Sequence, residues 1–281
     1  MDVSYKEEEK RLRRRYRRTL LALLALLAGA VLLSFWAGYY PLTPADVCKA
    51  FLWRFGFQGD ILPQAVTIFW HIRLPRILSA ALIGASLTAA GSVYQGMFRN
   101  PLVSPDILGV SSGAGLGAAL AILSGAPGWL VQLSAFCGGV AAVALSYLVS
   151  RKSAYSQTLS LVLTGSMVMA LCNAGITLIK YVSDPNSVLP QITFWLMGSL
   201  NGTSLEDLAW SAAPMAAGLA VIFALRWRIN LLTLEEEEAR SLGIDVRRTR
   251  LLFIAAATLL SAAAVCLGGL IGWVGLMVPH M

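Results

Sequence analysis

Seven stretches of this chain, at about 19–38, 77–98, 107–124, 129–150, 158–181, 208–225 and 251–271, carry no charge near their centres and run for about 18 to 24 residues each. A helix rises about 1.5 Å per residue, so about 20 apolar residues cross the roughly 30 Å hydrocarbon layer of a bilayer. Lipid offers no hydrogen-bond partners, so each segment must satisfy its own backbone, which requires helices and excludes open sheet. Composition agrees: 57% of the 281 residues are hydrophobic, 13% are charged, and the mean hydropathy is +0.68. The expected fold is all-α, a polytopic transmembrane helix bundle of about seven spans.

The net charge of +7 is unevenly placed, with seven of the nine residues from Lys10 to Arg18 basic. An apolar run begins at Leu20, so the positive-inside rule reads residues 1–18 as a cytoplasmic arm and not as a nucleic-acid tail. Residues 19–281 then form the membrane domain of a multi-pass protein of the cell membrane. The apolar run continues through "AGAVLLSFWAGYY", past the only small-residue site, which reads as an uncleaved helix and not a signal peptide. With the N-terminus cytoplasmic, the loops holding Arg99, Arg151, Lys152 and Arg226–Arg250 fall on the cytoplasmic side. The stretch "VSDPNSVLPQITFWLMGSLNGTSLED", which holds neither Lys nor Arg, falls outside. Residues 39–76 break the rule, because that outer segment contains Lys49, Arg54, Arg73 and Arg76.

"LEEEEARSLGIDVRRTR", residues 234–250, packs nine charged side chains into 17 positions. A charge at the centre of a membrane helix costs roughly 2.5–3.5 kcal/mol on insertion scales, so nine would cost on the order of 20–30. This segment lies in water, as part of a cytoplasmic loop over 229–250. Leu232, Ala239, Leu242 and Val246 fall on one side of a helix that Gly243 can end. A solvated linker and an amphipathic helix that docks in a partner's groove both fit.

"RNPLVSPDILGVSSGAG" forms an elbow between spans. Ser104, Pro105 and Asp106 read as cap, first-turn proline and first-turn acid, so the third span is expected to start near Asp106. Gly109, Gly113 and Gly117 stand four apart, as do Gly268 and Gly272, which lets helix backbones approach closely.

The chemistry-bearing motifs of enzymes are missing. No G-x-x-x-x-G-K-[ST] phosphate cradle, H-E-x-x-H or G-x-S-x-G is present, and the two histidines, His71 and His280, are about 200 residues apart. Cys48, Cys137, Cys172 and Cys266 show no metal or disulfide spacing and read as buried small hydrophobes. No cofactor is expected. The absence of ionisable residues at span centres argues against an ion-driven secondary transporter or a voltage sensor.

Four stretches carry a resemblance: "IRLPRILSAALIGASLTAAGSVYQGMFRNPLVSPDILGVSSGAGLGAA" (72–119), "FWLMGSL" (194–200), "EEARSLGIDVRRTR" (237–250) and "GLIGWVGLMVPH" (269–280). The chain resembles the FecCD-type permease subunits of ABC importers for iron-siderophore complexes, haem and cobalamin. The resemblance implies a non-enzymatic membrane subunit paired with a second copy or a paralogue. It also implies a cytoplasmic dimer of ATP-binding subunits and an extracytoplasmic binding protein that delivers an iron(III)-siderophore complex, haem or cobalamin. By resemblance the 229–250 loop is the coupling element: Glu237, Ala239 and Gly243 match the pattern E-A-A-x-x-x-G, with Glu238 in place of its first alanine and Arg240 and Leu242 at its variable positions. Arg73 and Arg76 resemble outward arginines that pair with acidic residues of the binding protein, and "FWLMGSL" resembles a short outer helix of the external gate. The pathway-lining helices of the family place Ser111, Ser112, Gly113, Thr164 and Asn173 as candidates for the pathway surface. Family members have roughly ten spans and continue beyond the "VPH" motif, so the sequence is expected to be a fragment or a short form. From another class, a seven-helix sensor or receptor would fit the span count without any ATPase.

Overall fold

The computed structural model describes residues 2–56, 62–152, 157–232, 238, 241, 243 and 245–281, and every regular element among them is helical. The chain divides into two compact units, residues 1–77 and 78–281. Among the described residues six helices are long and apolar enough to cross a membrane, by length and composition.

In the first unit, α1 (Asp2–Trp36) is one unbroken helix through the basic arm and the first apolar run. α2 (Pro44–Trp53) starts at a reciprocal cap: the Asp46 amide donates to the Thr43 hydroxyl at 3.2 Å, and the Thr43 amide donates to the Asp46 carboxylate at 2.9 Å. α3 (Pro63–Ile68) runs through a π-helical turn at Phe69–Arg73 into α4 (Leu74–Phe98), which continues into the second unit. An aromatic cluster holds these pieces: Phe35 stacks on Phe69 with centroids 5.2 Å apart, and the Trp70 indole N–H donates to the Ala50 carbonyl at 2.9 Å.

The second unit holds α5 (Val110–Leu123), α6 (Gly128–Ser150), α7 (Gln157–Val182), α8 (Val188–Met197), α9 (Leu205–Leu232), α10 (Val246–Gly268) and the short α11 (Val274–His280). α10 is the central helix. Beyond its arginine-rich first turns it is apolar on nearly all sides and buries Phe253, Ala257 and Leu260 completely, as expected of a helix surrounded by others. Tyr94, Leu108, Leu161 and Met215 complete that core. The chain enters α9 through a second reciprocal cap, between Ser204 and Asp207.

Two expectations are corrected here. The third apolar run forms only the 14-residue α5, about 21 Å long, which is shorter than the hydrocarbon layer. The helix does not start at Asp106, because a separate 3-10 turn, Pro105–Leu108, is cut off from α5 by Gly109 in the left-handed region (φ 81°). Ser104 therefore makes no side-chain cap. The Asp106 carboxylate instead reaches across the break and accepts the Ser111 N–H at 2.8 Å, satisfying one of the unpaired donors at the start of α5.

α5 and α6 form the most extensively packed helix pair, and the glycine spacing explains why. A Cβ on Gly117 would sit 2.2 Å from the Ser134 carbonyl oxygen, and one on Gly113 would sit 2.5 Å from that of Gly138. Only glycine permits this backbone contact.

Candidate functional site

Four cavity or surface regions contain the residues singled out by sequence. Three of the pathway candidates converge on a cavity of about 490 Å3 in the second unit, walled by α4, α5, α7, α10, α11 and the Pro105–Leu108 turn. Ser111 and Ser112 reach it from the first turn of α5, and Asn173 from the middle of α7. Gly113 and Thr164 are placed elsewhere. Gly113 is in the α5–α6 seam, and the buried Thr164 hydroxyl donates to the Ser146 carbonyl at 3.0 Å and the Ser160 carbonyl at 2.7 Å, tying α7 to α6.

The same wall includes residues that sequence reasoning missed. Asp106, Ser261, Leu270, Ile271, Gly272, Trp273, Gly275 and Leu276 line it. After α10 the chain turns back at Trp273, whose φ of 70° is uncommon for a side-chain-bearing residue, and enters α11. The Gln95 side-chain amide holds α11 by donating to the Leu276 carbonyl at 2.9 Å. A Cβ on Gly275 would strike Pro105 at 2.4 Å, so α11 seats directly on the elbow that carries Asp106. The run "GLIGWVGL" contained the signal, since three glycines in eight residues mark a bent, closely approached backbone.

A second cavity, of about 770 Å3, opens where α8, the α5–α6 turn and the head of α9 meet. "FWLMGSL" forms its rim, although the helix there spans Val188–Met197 and ends at Gly198. The Gln132 amide donates to the Asp207 carboxylate at 3.0 Å across this cavity, and the Ser199 N–H donates to the Gly268 carbonyl at 2.9 Å, fastening α8 to the end of α10.

The charged α9–α10 connection is described at few positions. Glu238 is exposed and helical, its carbonyl accepting the Ser241 hydroxyl at 2.7 Å. Gly243 is exposed in the left-handed region (φ 79°), the geometry of a helix stop. Glu237, Ala239, Arg240 and Leu242 lie outside the described residues. Beyond Gly243, Asp245 caps α10 by accepting the Arg248 N–H at 3.0 Å and pairs with the Arg248 side chain at 2.9 Å.

Arg73 and Arg76 do not form a pair of exposed charges. Arg76 is exposed, whereas Arg73 is 7% exposed and donates to the carbonyls of Phe35 and Tyr40. Those carbonyls belong to the last turn of α1 and the segment after it, so the guanidinium satisfies acceptors that the helix end leaves unpaired. The cysteines also differ from expectation: Cys172 is buried, but Cys48 and Cys137 are exposed. Among the described residues no His, Cys, Asp and Glu group could hold a metal ion.

These features define a polytopic helical membrane protein with cavities between its helices and a charged loop between two of them. The chain belongs to the FecCD transport family, whose match covers residues 23–281, and it is thus a multi-pass permease of the ABC-importer class, a transport subunit and not a catalytic one. It is 38% identical over 266 residues to the molybdate import system permease protein MolB of Haemophilus influenzae, covering 95% of this chain and 79% of that one. It is 42% identical over 224 residues to the cobalamin import system permease protein BtuC of Halobacterium salinarum, covering 79% of this chain and 60% of that one. Other relatives are named for iron chelatin, Fe(3+)-citrate and hemin transport. Among solved structures, a metal-chelate type ABC transporter in an inward-facing conformation superposes with a TM-score of 0.81 at 36% identity, covering 94% of this chain and 80% of that one.

Proposed function

We propose that this chain is the permease subunit of an importer for an iron(III)-siderophore complex, with haem or cobalamin as alternative cargo. The observation that carries the transport reading is the family match over residues 23–281. The iron-chelate reading draws support from the iron chelatin relative and from the metal-chelate type structural neighbour. The molybdate and cobalamin relatives have comparable identity, so the cargo needs its own test.

In this reading the N-terminus is cytoplasmic, and two permease chains, identical or paralogous, sit on a dimer of ATP-binding subunits that hydrolyse ATP. The 229–250 connection faces those subunits, with Glu237, Glu238, Ala239, Arg240, Leu242 and Gly243 forming the contact. The left-handed Gly243 and the Asp245 cap set its direction relative to α10. A binding protein docks on the opposite side at the exposed Arg76, while Arg73 holds that corner in shape. Ser111, Ser112 and Asn173 contribute to the cargo's path, and Gly113 and Thr164 fix the helices that carry them.

Replacing Glu237 with Lys and Gly243 with Val tests the coupling role. The variant should insert normally and still assemble, with ATP hydrolysis uncoupled from uptake in proteoliposomes. Unchanged uptake would refute the assignment. A seven-helix sensor makes a different prediction, since an affinity-purified chain would then bring down no ATP-binding subunit.

A further inference from the structure

Among the described residues the 490 Å3 cavity has one ionisable side chain on its wall, Asp106, and no Lys, Arg or His. An anion entering such a space must exchange its hydration shell for a counter-charge or for convergent N–H groups. Among the described residues the cavity offers the N-terminus of α5 as a group of that kind, and the Ser111 N–H there is already taken. The Asp106 carboxylate accepts the Ser111 N–H there at 2.8 Å. The chain's own carboxylate thus takes the position an anionic cargo would seek, and it repels a second negative charge within the same poorly screened space.

The other polar groups on the wall are neutral. Ser112 and Asn173 line it, and the Ser261 hydroxyl, 1% exposed, makes no hydrogen bond among the described residues. A buried hydroxyl in that state gains from any ligand that brings an acceptor or donor to it. Resting on the proposal that cargo passes through this cavity, we infer that it selects cargo of zero or net positive charge with hydrogen-bonding oxygen atoms on its surface. Asp106 excludes oxyanions and polyanionic chelates, and Ser112, Asn173 and Ser261 hold the polar surface of the cargo that is accepted.

Trp273 lines the cavity and is 74% exposed, so its fluorescence reports on occupancy, and a Trp273→Phe variant separates its signal from those of the seven other tryptophans. The transporter, assembled in nanodiscs with its ATP-binding subunits and without binding protein, is titrated with a neutral iron(III) trihydroxamate chelate and with anionic iron(III) citrate. Molybdate is added as a competitor. The neutral chelate should quench Trp273 with an apparent Kd at least about tenfold below that of the citrate complex, and molybdate should not compete. Asp106→Asn keeps an acceptor for the Ser111 N–H but removes the charge, and should narrow the preference to about threefold or less. Citrate or molybdate binding as tightly as the neutral chelate, or a preference unchanged in Asp106→Asn, would overturn charge selection while the Trp273 dependence still placed cargo in the cavity. Quenching equal in the wild type and Trp273→Phe, or absent for every probe, would remove cargo from the cavity and overturn both the pathway reading and this inference.

Discussion

Arg73 gives the sharpest separation between a structural and a docking role, because Arg76 lies three residues further on, in the first turn of α4, and is exposed. The Arg73 guanidinium donates to two carbonyls, those of Phe35 and Tyr40. Hydrogen bonds from a charged donor contribute about 1.5–3 kcal/mol each, so the two are worth roughly 3–6 kcal/mol before the cost of burying the charge. That cost offsets part of the gain but is not recovered in full when the side chain is removed, because the two carbonyls are then left without partners. Arg73→Met should therefore destabilise the first unit by about 2–4 kcal/mol. Arg73→Lys should recover less than half of this, since an ammonium lacks the planar fork that spans both carbonyls. In detergent the apparent Tm should fall by roughly 5–10 °C for Arg73→Met, and by about 1 °C or less for Arg76→Glu. Affinity for the loaded binding protein in nanodiscs should show the reverse order, with Arg76→Glu the more damaging at low salt and the difference shrinking as salt is raised. If Arg73→Met melts with the wild type, the buried guanidinium is not holding that corner and the reasoning fails.

The helix seam and the α2 cap yield further expectations. Gly117→Val forces a side chain against the Ser134 carbonyl, 2.2 Å from the new Cβ, and should lower stability by about 3 kcal/mol or more in detergent melts. Gly84→Ala, whose Cβ meets nothing within 4 Å, should be neutral or stabilising by about 0.5–1 kcal/mol in the same assay. The Thr43 hydroxyl and backbone N–H hold the Asp46 carboxyl below its usual range. A depressed carboxyl pKa makes the cap complete above the ordinary value and loses it as pH falls through the lowered one. Amide exchange in the first turn of α2 should therefore accelerate, relative to its intrinsic rate, on acidification, and Thr43→Ala should weaken that dependence, since only the Thr43 backbone N–H then remains on the carboxylate.

The helices were legible because apolar runs of fixed length leave few options in lipid, and six of the seven expected runs became helices of spanning length. α5 was over-extended because composition cannot show that Gly109 adopts a left-handed φ and splits the run. The same break explains why Ser104 was read as a cap, since local spacing favoured it while the actual cap, Asp106, acts across a turn visible only in three dimensions. Arg73 and Arg76 look alike in sequence, and nothing in their spacing tells which one finds the end of α1. A third of the cavity wall came from the return of the chain at Trp273, a long-range contact on which periodicity is silent. The small-residue spacing was the most informative local signal, because Gly113 and Gly117 meet α6 at van der Waals limits, as a four-residue glycine repeat requires.

That seam also limits how this unit can move. With backbone oxygens of Gly138 and Ser134 filling the space where side chains would stand, α5 and α6 have no compressible layer between them along which to slide. They must translate or tilt as one body, carrying Ser111, Ser112 and the Asp106 cap together. Any opening of the cavity in the second unit is therefore a displacement of α4, α7, α10 or α11 against a fixed α5–α6 block, and distance measurements between spin labels on α5 and α6 should stay constant through a transport cycle.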